Sequence, residues 1–431
     1  MCLTIPAKVV EIKGREAVIQ KESATKKIDI SLIPEVKVGD WVLFANQTAV
    51  QIISATDAKE IVDLLESYHP NARPDQLTEK FKNIIENSKK RDLTKEEIIY
   101  LLQAEGAEKE ALYSEADVVR RANLQDFICI HGIIEFSNYC KNDCAYCGLR
   151  CQNSEVKRYR MTPEEIVKTA VEAANVKGYK LLVLQSGEDP YYTAEMFADI
   201  IRKIKSECKV FVFISVGERG LDFYKKLKET GASGTLFRFE TSNPELFQKI
   251  HANGKNLENR LEHLKFMKEL GYFIATGSII GLPGQTLEDF VDDILLMKKW
   301  ANMISMGPFV PSKNTPLEKE KPGDPEMNFK MISVLRLLMP KVRIPVVTAL
   351  ETLAGEGGRK KGLLAGANSL MLNLTPGKYR ANYKIYDNKF FDKESIWEKY
   401  GLFKAEESYQ MIEERMGEEL NKVIKSKVLK L

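Results

Sequence analysis

A regular alternation of short apolar runs with amphipathic helical segments begins near residue 127 and constrains the fold more than any other feature. Buried strands are rich in β-branched and aromatic residues, and helical periodicity separates the runs here, as in residues 163–176 and 287–300. The eight runs cover residues 128–136, 181–185, 210–216, 235–239, 273–280, 303–309, 344–350 and 369–374. This pattern predicts an α/β fold, a (β/α)8 barrel of the TIM type, with its active site at the carboxyl ends of the strands.

The segment before this barrel has the pattern of a separate, small β domain. Five short β-branched runs separated by turn residues lie within the first ~55 residues, which predicts a small β-barrel. A helix is expected to follow from Thr56 to Tyr68. The predicted domains are residues 1–68 for the small β-barrel with its helix, 69–75 for a linker with two prolines, 76–390 for the large barrel, and 391–431 for a C-terminal helical extension.

Composition narrows the possible functions. Lys and Arg exceed Asp and Glu by only three in 431 residues, 64 against 61, and no basic stripe is evident, which argues against a nucleic-acid partner. No run of about 18 apolar residues and no signal peptide are found, so we expect no membrane association and a cytoplasmic location. Three of the seven cysteines are clustered, which favours a metal site in a reducing compartment.

Cys140, Cys144 and Cys147 directly follow the first barrel run with the spacing C-x3-C-x2-C. An iron-sulfur cluster usually takes four thiolates, so three leave one iron of a 4Fe-4S cluster open to a small molecule. The spacing is typical of radical SAM enzymes, in which the amino and carboxylate groups of S-adenosylmethionine (SAM) occupy that iron. A plain redox cluster and a zinc site are the alternatives, although zinc sites usually pair two C-x2-C knuckles. Cys151 is either a fourth ligand, which would close the open iron, or a bystander, which we favour.

Further polar residues lie at the ends of later strands. In the turn that contains Ser186, Gly187 and Glu188, backbone carbonyls are expected to accept from the SAM ammonium, unless it is an ordinary strand-to-helix turn. Arg238 and Glu240 alternate toward one side of their strand, where burial requires partners. They either pair with each other or bind ligand groups.

A glycine-containing run ends the fifth strand. Glycine in a strand indicates close approach of a ligand or of another backbone. In residues 277–284 we expect the flat adenine of SAM to lie in this place, against Ile279. The four histidines share no spacing, so His69, His131, His251 and His263 receive no role, with His131 expected nearest to the site.

From about residue 75 to 390 the chain resembles the FeFe-hydrogenase maturase family HydE, a group of radical SAM barrels related to biotin synthase and methylornithine synthase. The resemblance rests on residues 135–138 with the three cysteines, and on 147–150, 158–162, 184–192, 281–286, 375–376 and 379–380. It implies SAM contacts at Tyr146 beside the adenine, Ser186, Gly187 and Glu188 at the amine, Glu240, and Arg260 at the carboxylate. It implies substrate contacts at Ser215, Arg238, Thr348, Tyr379 and Arg380.

The resemblance also implies a function and partners. Members of that family assemble the two-iron unit of the hydrogenase active site, acting with the adenosyl radical on an iron that carries CO, cyanide and cysteine. Other maturation proteins and a low-potential electron donor are the expected partners. Some members carry a second cluster on three cysteines after the last strand, but residues 382–399 contain none here, so we expect one cluster. Val347 also departs from the family pattern, which has a hydroxyl there.

The N-terminal segment resembles the hydrogenase assembly chaperone family HypC, through residues 1–10 and 33–43. In that family the cysteine after the initiator methionine binds an iron carrying CO and cyanide, which implies an iron ligand at Cys2. A histidine of the family is replaced by Ala45. Cys2 is therefore either a ligand or an inert thiol on a docking domain.

Three functions are compatible with these features. The leading hypothesis is a radical SAM maturase whose fused domain holds or delivers an iron species, or docks a partner maturase. A second keeps the radical chemistry but assigns a small organic substrate, as in methylornithine or biotin synthesis. The third is a non-catalytic scaffold for metal assembly.

Overall fold

The computed structural model describes residues 5–21, 24–45, 47–58, 76–124, 129–251, 254–355 and 357–389. Cys2, the predicted linker 69–75, the predicted extension 391–431 and most of the predicted helix 56–68 lie outside these ranges.

The small N-terminal domain is a closed five-stranded barrel, as predicted. Its strand order is β1-β2-β3-β5-β4, with β3 and β5 pairing in parallel and the other neighbours antiparallel. Alternation along β1 buries Ala7 and Val9 and exposes Lys8, which is the period of two that a half-buried strand requires. The strands are β1 Ile5–Lys13, β2 Glu16–Lys21, β3 Ala24–Asp29, β4 Trp41–Ala45 and β5 Thr48–Ile53.

Between residues 76 and 124 the structure describes three helices that precede the large barrel. Thr94 caps the second of them in the way its sequence predicts, because its hydroxyl accepts from the backbone N–H of Glu97 and the Glu97 carboxylate accepts from the backbone N–H of Thr94. The three helices are Glu79–Ser88, Lys95–Leu102 and Gly106–Leu124.

The large domain is the predicted eight-stranded parallel barrel. Its strand order is β12-β10-β9-β8-β7-β6-β15-β14, and the N–H of Ile304 donates to the carbonyl of Arg343 at 2.8 Å across the gap between the two ends of the sheet. The strands are β6 Cys129–Ser137, β7 Leu181–Ser186, β8 Phe211–Ser215, β9 Gly234–Leu236, β10 Phe273–Thr276, β12 Met303–Ile304, β14 Pro345–Val346 and β15 Ser369–Asn373. The helices described between residues 129 and 389 are Pro163–Asn175, Ala194–Glu207, Leu221–Glu229, Pro244–Ile250, Leu257–Glu269, Leu287–Trp300, Pro325–Leu338, Thr348–Ala354, Gly358–Leu364 and Gly377–Arg380.

Several strands end earlier than predicted, close to the carboxyl rim. The runs 273–280 and 303–309 each break after a few residues, and their distal parts, β11 Ile279–Ile280 and β13 Gly307–Pro308, pair with each other as a separate two-stranded sheet. The break lies at Gly277, where an added Cβ would lie 2.3 Å from the carbonyl oxygen of Ser305. The close approach predicted from this glycine is therefore an approach of another backbone.

Two apolar layers lie on the two faces of the barrel strands. Leu182 and Leu184 face the surrounding helices, whereas Leu181 and Val183 point into the barrel. The inward-facing cluster fills part of the barrel interior, so the interior is partly packed core. Among the described helices, none has the length and apolar character needed to cross a membrane.

Candidate active site

A cavity of about 320 Å³ opens at the carboxyl ends of the barrel strands. Gln185 at the end of β7, Ser215 at the end of β8 and Asn373 at the end of β15 line it. Nine of the residues assigned from the sequence also line it: Tyr146, Cys147, Ser186, Ser215, Arg238, Glu240, Arg260, Ile279 and Thr348. The barrel therefore gathers at one place residues that are separated by up to about 200 positions in the chain.

The three cysteines lie on the loop after β6. Cys147 lines the cavity, and the Sγ of Cys140 accepts from the backbone N–H groups of Asn142 and Glu188, each at 3.4 Å. Burial, and next the nearby Cys140 thiol, raise the pKa of Cys144 to about 12. Burial and the other two thiols also raise the pKa of Cys147. Thiolates in this loop therefore need a compensating cation.

An iron-sulfur cluster fits that requirement. Its irons supply the positive charge that stabilises buried thiolates, since coordination deprotonates a thiol. Among the described residues, no group of three His, Cys, Asp or Glu side chains is arranged to hold a single metal ion. Cys151 is exposed and does not line the cavity, and its backbone N–H donates to the carbonyl of Asn142 at 2.8 Å. The side chains present suit a three-cysteine cluster.

The turn after β7 packs directly on the cysteine loop. A Cβ at Gly187 would lie 2.3 Å from the carbonyl oxygen of Tyr139 and 2.7 Å from the Cβ of Cys140, so this position tolerates only glycine without a shift. The Ser186 hydroxyl donates to the Gly187 carbonyl at 2.6 Å. Ser186 lines the cavity, but Gly187 and Glu188 do not.

Glu188 belongs to a buried charge network. Its Oε1 accepts from the Lys255 ammonium at 2.9 Å and from the backbone N–H of Glu218 at 2.8 Å. Glu218 in turn accepts from Nε of Arg260 at 2.7 Å, and Arg260 also donates to the carbonyl of Arg238 at 3.0 Å. Although burial opposes ionisation, the Lys255 cation and the hydrogen bonds lower the pKa of Glu188. Oε1 of the carboxylate that the sequence placed at the SAM amine is therefore held by the protein, whereas its buried Oε2 has no hydrogen-bond partner among the described residues.

Arg238 and Glu240 face the cavity together. Nη2 of Arg238 lies 3.0 Å from Oε2 of Glu240, so they form the mutual pair that the sequence left open. This contact lacks hydrogen-bond geometry, and within the described part of the structure these two buried atoms and Nε of Arg238 have no hydrogen-bond partner. Glu240 also has a φ of 68°, a left-handed conformation that costs a non-glycine residue about 1–3 kcal/mol. Buried polar atoms left open beside a cavity are suited to a polar ligand such as SAM or a substrate.

Tyr146 is held by a histidine to which no role was assigned. Nδ1 of His251 lies 3.0 Å from the carbonyl of Phe247, which can only accept, so Nδ1 carries the proton. Burial, and next the charge of Arg260, lower the pKa of His251 to about 3, so the ring is neutral and its Nε2 accepts from the Tyr146 hydroxyl at 3.3 Å. Neither His131 nor His251 lines the cavity, but His251 contacts Tyr146, which does, so the nearness of His131 to the site stays a prediction.

Two of the predicted substrate residues lie outside the cavity. Tyr379 donates to the Glu165 carboxylate at 3.0 Å and stacks on Tyr159, and Arg380 donates from Nε to the carbonyl of Thr375. Neither lines the cavity. Their helix Gly377–Arg380 lies between Asn373 and Tyr383, which both line the cavity.

The residues that line the cavity after the helix Gly377–Arg380 were not identified from the sequence. Tyr383, Tyr386 and Lys389 line the cavity, and Lys389 forms an ion pair with the buried Glu135. The other carboxylate oxygen of Glu135 accepts from Asn373 at 2.7 Å. The alternation along β6, which points Glu135 inward with Ile133, was a signal in the sequence. Residues 381–389 form no strand and no helix, so their sequence has no periodicity that would indicate where they lie.

Three family models match different parts of the chain. The radical SAM superfamily model matches residues 134–297, the HupF/HypC family model matches residues 1–65, and a model described as the biotin and thiamin synthesis associated domain matches residues 283–426. The [FeFe] hydrogenase maturase subunit HydE of Thermotoga maritima is 44% identical over 318 residues, which are 73% of this chain and 90% of that protein. The chain belongs to the HydE family of radical SAM enzymes.

Other relatives agree with this assignment at the level of the fold. The 3-methylornithine synthase of Methanosarcina acetivorans is 34% identical to this HydE-family chain, over 68% of the chain and 83% of that protein. The crystal structure of methylornithine synthase (PylB) superposes with a TM-score of 0.68 at 30% identity, covering 78% of this chain and 99% of that one. The maturase HydG of Carboxydothermus hydrogenoformans shares the fold, with a TM-score of 0.64 at 24% identity over 79% and 82% of the two chains.

Membership of the HydE family identifies the cofactors as a 4Fe-4S cluster and SAM. Together these supply reductive cleavage of SAM to a 5′-deoxyadenosyl radical. The chain's own contribution is positional: hydrogen bonds fix the Ser186–Glu188 turn and Arg260. An N-terminal HypC-family domain precedes this enzyme barrel.

Proposed function

We propose that this enzyme acts in the assembly of the di-iron active site of an FeFe-hydrogenase, on an iron that carries CO and cyanide. The supporting observation is the 44% identity to a HydE subunit over 90% of that protein, in a chain that also carries a HypC-family domain. Two independent matches to hydrogenase assembly proteins within one chain favour this function over an unrelated radical reaction.

The cavity suits a small, polar, anionic substrate. Ser215 and Thr348 contribute hydroxyl groups, and Arg238 contributes a cation with unused hydrogen-bonding atoms. Charge-assisted hydrogen bonds from an arginine are among the strongest that a carboxylate or a cyanide-bearing anion meets in a protein. The SAM contacts proposed above, with Tyr146, Ser186, Gly187, Glu188, Glu240, Arg260 and Ile279, leave Arg238 and the two hydroxyl groups for the substrate.

The N-terminal domain is proposed to hold or deliver the iron species, or to dock another maturation protein. Cys2 is the proposed iron ligand. Because Ala45 stands where the chaperone family has a histidine, a ligand from the iron species or from a partner protein would have to complete the coordination. We also propose a single cluster and a cytoplasmic location, since buried thiolates and low-potential chemistry require reducing conditions.

Two measurements test the enzymatic part. The protein is reconstituted anaerobically with iron and sulfide, reduced, and assayed for 5′-deoxyadenosine formed from SAM. Cys144→Ala is expected to abolish this product and to lose cluster absorbance, whereas the matched control Cys151→Ala is expected to retain both, because that thiol is exposed and lies outside the cavity. An intact cluster that yields no product would support the scaffold function.

Infrared spectroscopy tests the substrate. Mixing the enzyme with a synthetic iron–cyanide–carbonyl cysteine complex is expected to give protein-associated CO and cyanide bands that change when SAM and reductant are added. Cys2→Ala is expected to remove any bands bound by the N-terminal domain, without loss of 5′-deoxyadenosine formation. Absence of protein-associated bands in the intact chain would contradict the proposal.

The second candidate function is a radical reaction on a small organic substrate. It is favoured by the 34% identity to 3-methylornithine synthase and by the superposition on methylornithine synthase. Mass spectrometry of reactions that contain lysine or other amino acids distinguishes it, because a rearranged amino acid formed in proportion to 5′-deoxyadenosine would replace the hydrogenase assignment.

A further inference from the structure

Ala145 and Tyr146 lie between the second and third clustered cysteines, and neighbouring segments hold their backbone. The N–H of Ala145 donates at 2.9 Å to the carbonyl of Ile250, which ends the helix Pro244–Ile250. The carbonyl of Ala145 accepts from the N–H of Leu317 at 3.2 Å. These two bonds fix the backbone of the loop, but they do not fix how the Tyr146 ring is turned about its side-chain bonds.

His251, the residue that follows this helix, holds the Tyr146 ring. Its Nε2 lies 3.3 Å from the Tyr146 hydroxyl, and the two rings meet edge to face, with their centroids 5.7 Å apart and their planes at 86°. Edge-to-face contact is a favoured geometry for aromatic pairs. His251 is 4% exposed and does not line the cavity, so it acts on a ligand there only through Tyr146, which does.

The imidazole of His251 is itself held in one orientation. The carbonyl of Phe247 accepts from the backbone N–H of His251 at 3.1 Å and from its Nδ1 at 3.0 Å, and the two rings stack with centroids 4.1 Å apart. Burial, and next the charge of Arg260, keep the pKa of His251 at about 3, so Nε2 is unprotonated at neutral pH. In this bond the Tyr146 hydroxyl is therefore the donor and His251 the acceptor.

Apolar packing completes this part of the cavity wall. Tyr146 packs against a cluster of buried side chains that consists of Leu246, Ile250, Ile279, Leu282 and Phe309. Ile279 also lines the cavity and, like Tyr146, is a proposed SAM contact. Because apolar packing is non-directional, the hydrogen bond to His251 gives the Tyr146 ring its defined orientation in this wall.

We propose that His251 is a positioning residue for SAM, which holds the Tyr146 ring in the cavity wall in the orientation that the adenine requires. A side chain that is already held loses little conformational entropy when a ligand binds, whereas one that must be ordered at that moment lowers the affinity. The inference rests on the SAM contact proposed for Tyr146, and it is independent of the substrate on which the radical acts.

Equilibrium binding of SAM to the reconstituted protein tests this role, with the cluster kept oxidised so that SAM is not cleaved. His251→Leu removes the acceptor and keeps an apolar side chain, and the dissociation constant is expected to rise about 3- to 10-fold, as for the ordering of one side chain. His251→Gln is the matched variant, because its amide oxygen accepts from a hydroxyl. Its dissociation constant is expected to stay within about twofold of that of the unaltered protein. Equal losses in these two variants overturn the proposal.

His263→Leu is the control for the loss of a histidine elsewhere in the barrel. Nδ1 of His263 also lies close to the carbonyl four residues earlier, that of Asn259, at 2.8 Å. Its ring stacks on Phe237, which is not a proposed SAM contact. The dissociation constant of SAM is expected to change by less than about twofold, and a loss equal to that of His251→Leu overturns the proposal.

A double-variant cycle shows whether His251 acts through the Tyr146 hydroxyl. Tyr146→Phe removes the hydroxyl and keeps the ring, and it is expected to weaken SAM binding by the same factor as His251→Leu. Tyr146→Phe/His251→Leu is expected to bind SAM no more weakly than either single variant, because all three lack the same hydrogen bond. Strictly additive losses, which a general loosening of the loop would give, overturn the proposal.

Two further comparisons separate the ways in which the proposal fails. All variants are compared at equal iron content, and if His251→Leu does not hold the cluster, Tyr146→Phe tests the same hydrogen bond by itself. Unchanged SAM binding by Tyr146→Phe overturns the role of His251. Unchanged SAM binding by Tyr146→Leu would show in addition that Tyr146 does not contact SAM. Weaker binding by Tyr146→Leu, with unchanged binding by His251→Leu and Tyr146→Phe, would refute the role of His251 alone.

Discussion

Replacing Lys255 with methionine removes the cation that compensates the buried carboxylate of Glu188. The Lys255 side chain is 12% exposed and that of Glu188 is 5% exposed, and their charged atoms are 2.9 Å apart. Methionine keeps most of the volume but leaves the carboxylate without its closest cation. Because the backbone N–H of Glu188 donates to Cys140, the turn that bears Glu188 also touches a cluster ligand.

The expected cost can be worked from the remaining contacts. Removing one partner of a buried ion pair typically costs about 3–5 kcal/mol. Glu188 retains the Glu218 N–H at 2.8 Å and the partly exposed Lys141 ammonium at 3.7 Å, so the lower end, about 3 kcal/mol, is expected. In Lys255→Met/Glu188→Gln the unpaired charge is gone, so the double variant is expected to be more stable than Lys255→Met alone.

Thermal unfolding of the reconstituted protein under anaerobic conditions measures this effect. At about 2 °C per kcal/mol for a domain of this size, Lys255→Met is expected to lower the melting temperature by about 6 °C. Lys168→Met is the matched control, since Lys168 is exposed on an outer helix, and its melting temperature is expected to change by less than about 1 °C. A melting temperature for Lys255→Met that equals the control, or a strictly additive loss in the double variant, would refute the reasoning.

Three further predictions concern the same region of the barrel. Arg260→Lys keeps the charge but loses the planar guanidinium group that contacts Glu218 and a backbone carbonyl. Equilibrium binding of SAM is therefore expected to weaken about tenfold, with unchanged iron content. An unchanged dissociation constant would show that Arg260 does not hold SAM. Gly187→Ala forces a Cβ to within 2.3 Å of the Tyr139 carbonyl, and the shift is expected to cost about 1–3 kcal/mol and to reduce the cluster content measured by iron analysis. Burial raises the pKa of Asp293 to about 7 from an ordinary 3.8, so the folded state takes up a proton and the free energy of unfolding falls as the pH rises between these values. Asp293→Asn is expected to abolish that part of the pH dependence in melting curves recorded from pH 5 to 8, and an identical pH profile for both proteins would contradict it.

Much of the site was predictable because it lies where strands end. The period of two and the apolar runs fix which strands form, and parallel strands bring their carboxyl ends to one rim. Cys147, Ser186 and Arg238, which follow or end predicted strands, therefore line one cavity, and Ser215 and Arg260, which the family resemblance implied, line it as well. The capping box at Thr94 follows from an equally local rule.

The sequence did not indicate the direction of individual side chains or the path of irregular backbone. No spacing in the sequence indicates that Lys255, 67 residues away, pairs with the Glu188 carboxylate in a buried network. Tyr379 and Arg380 were expected in the cavity, whereas the chain turns inward only at Tyr383. Segments without periodicity give no signal of where they run, so their contacts cannot be read from spacing.

The sequence by itself determined the class of protein: three cysteines at C-x3-C-x2-C after the first of eight strand–helix units, with a small β-barrel in front. These features are local, and each depends on residue types within a few positions of one another. Only the tertiary structure decided which side chains share the cavity and which charges are already paired. Those properties depend on distances between residues far apart in the chain, and the packing of the whole barrel sets them.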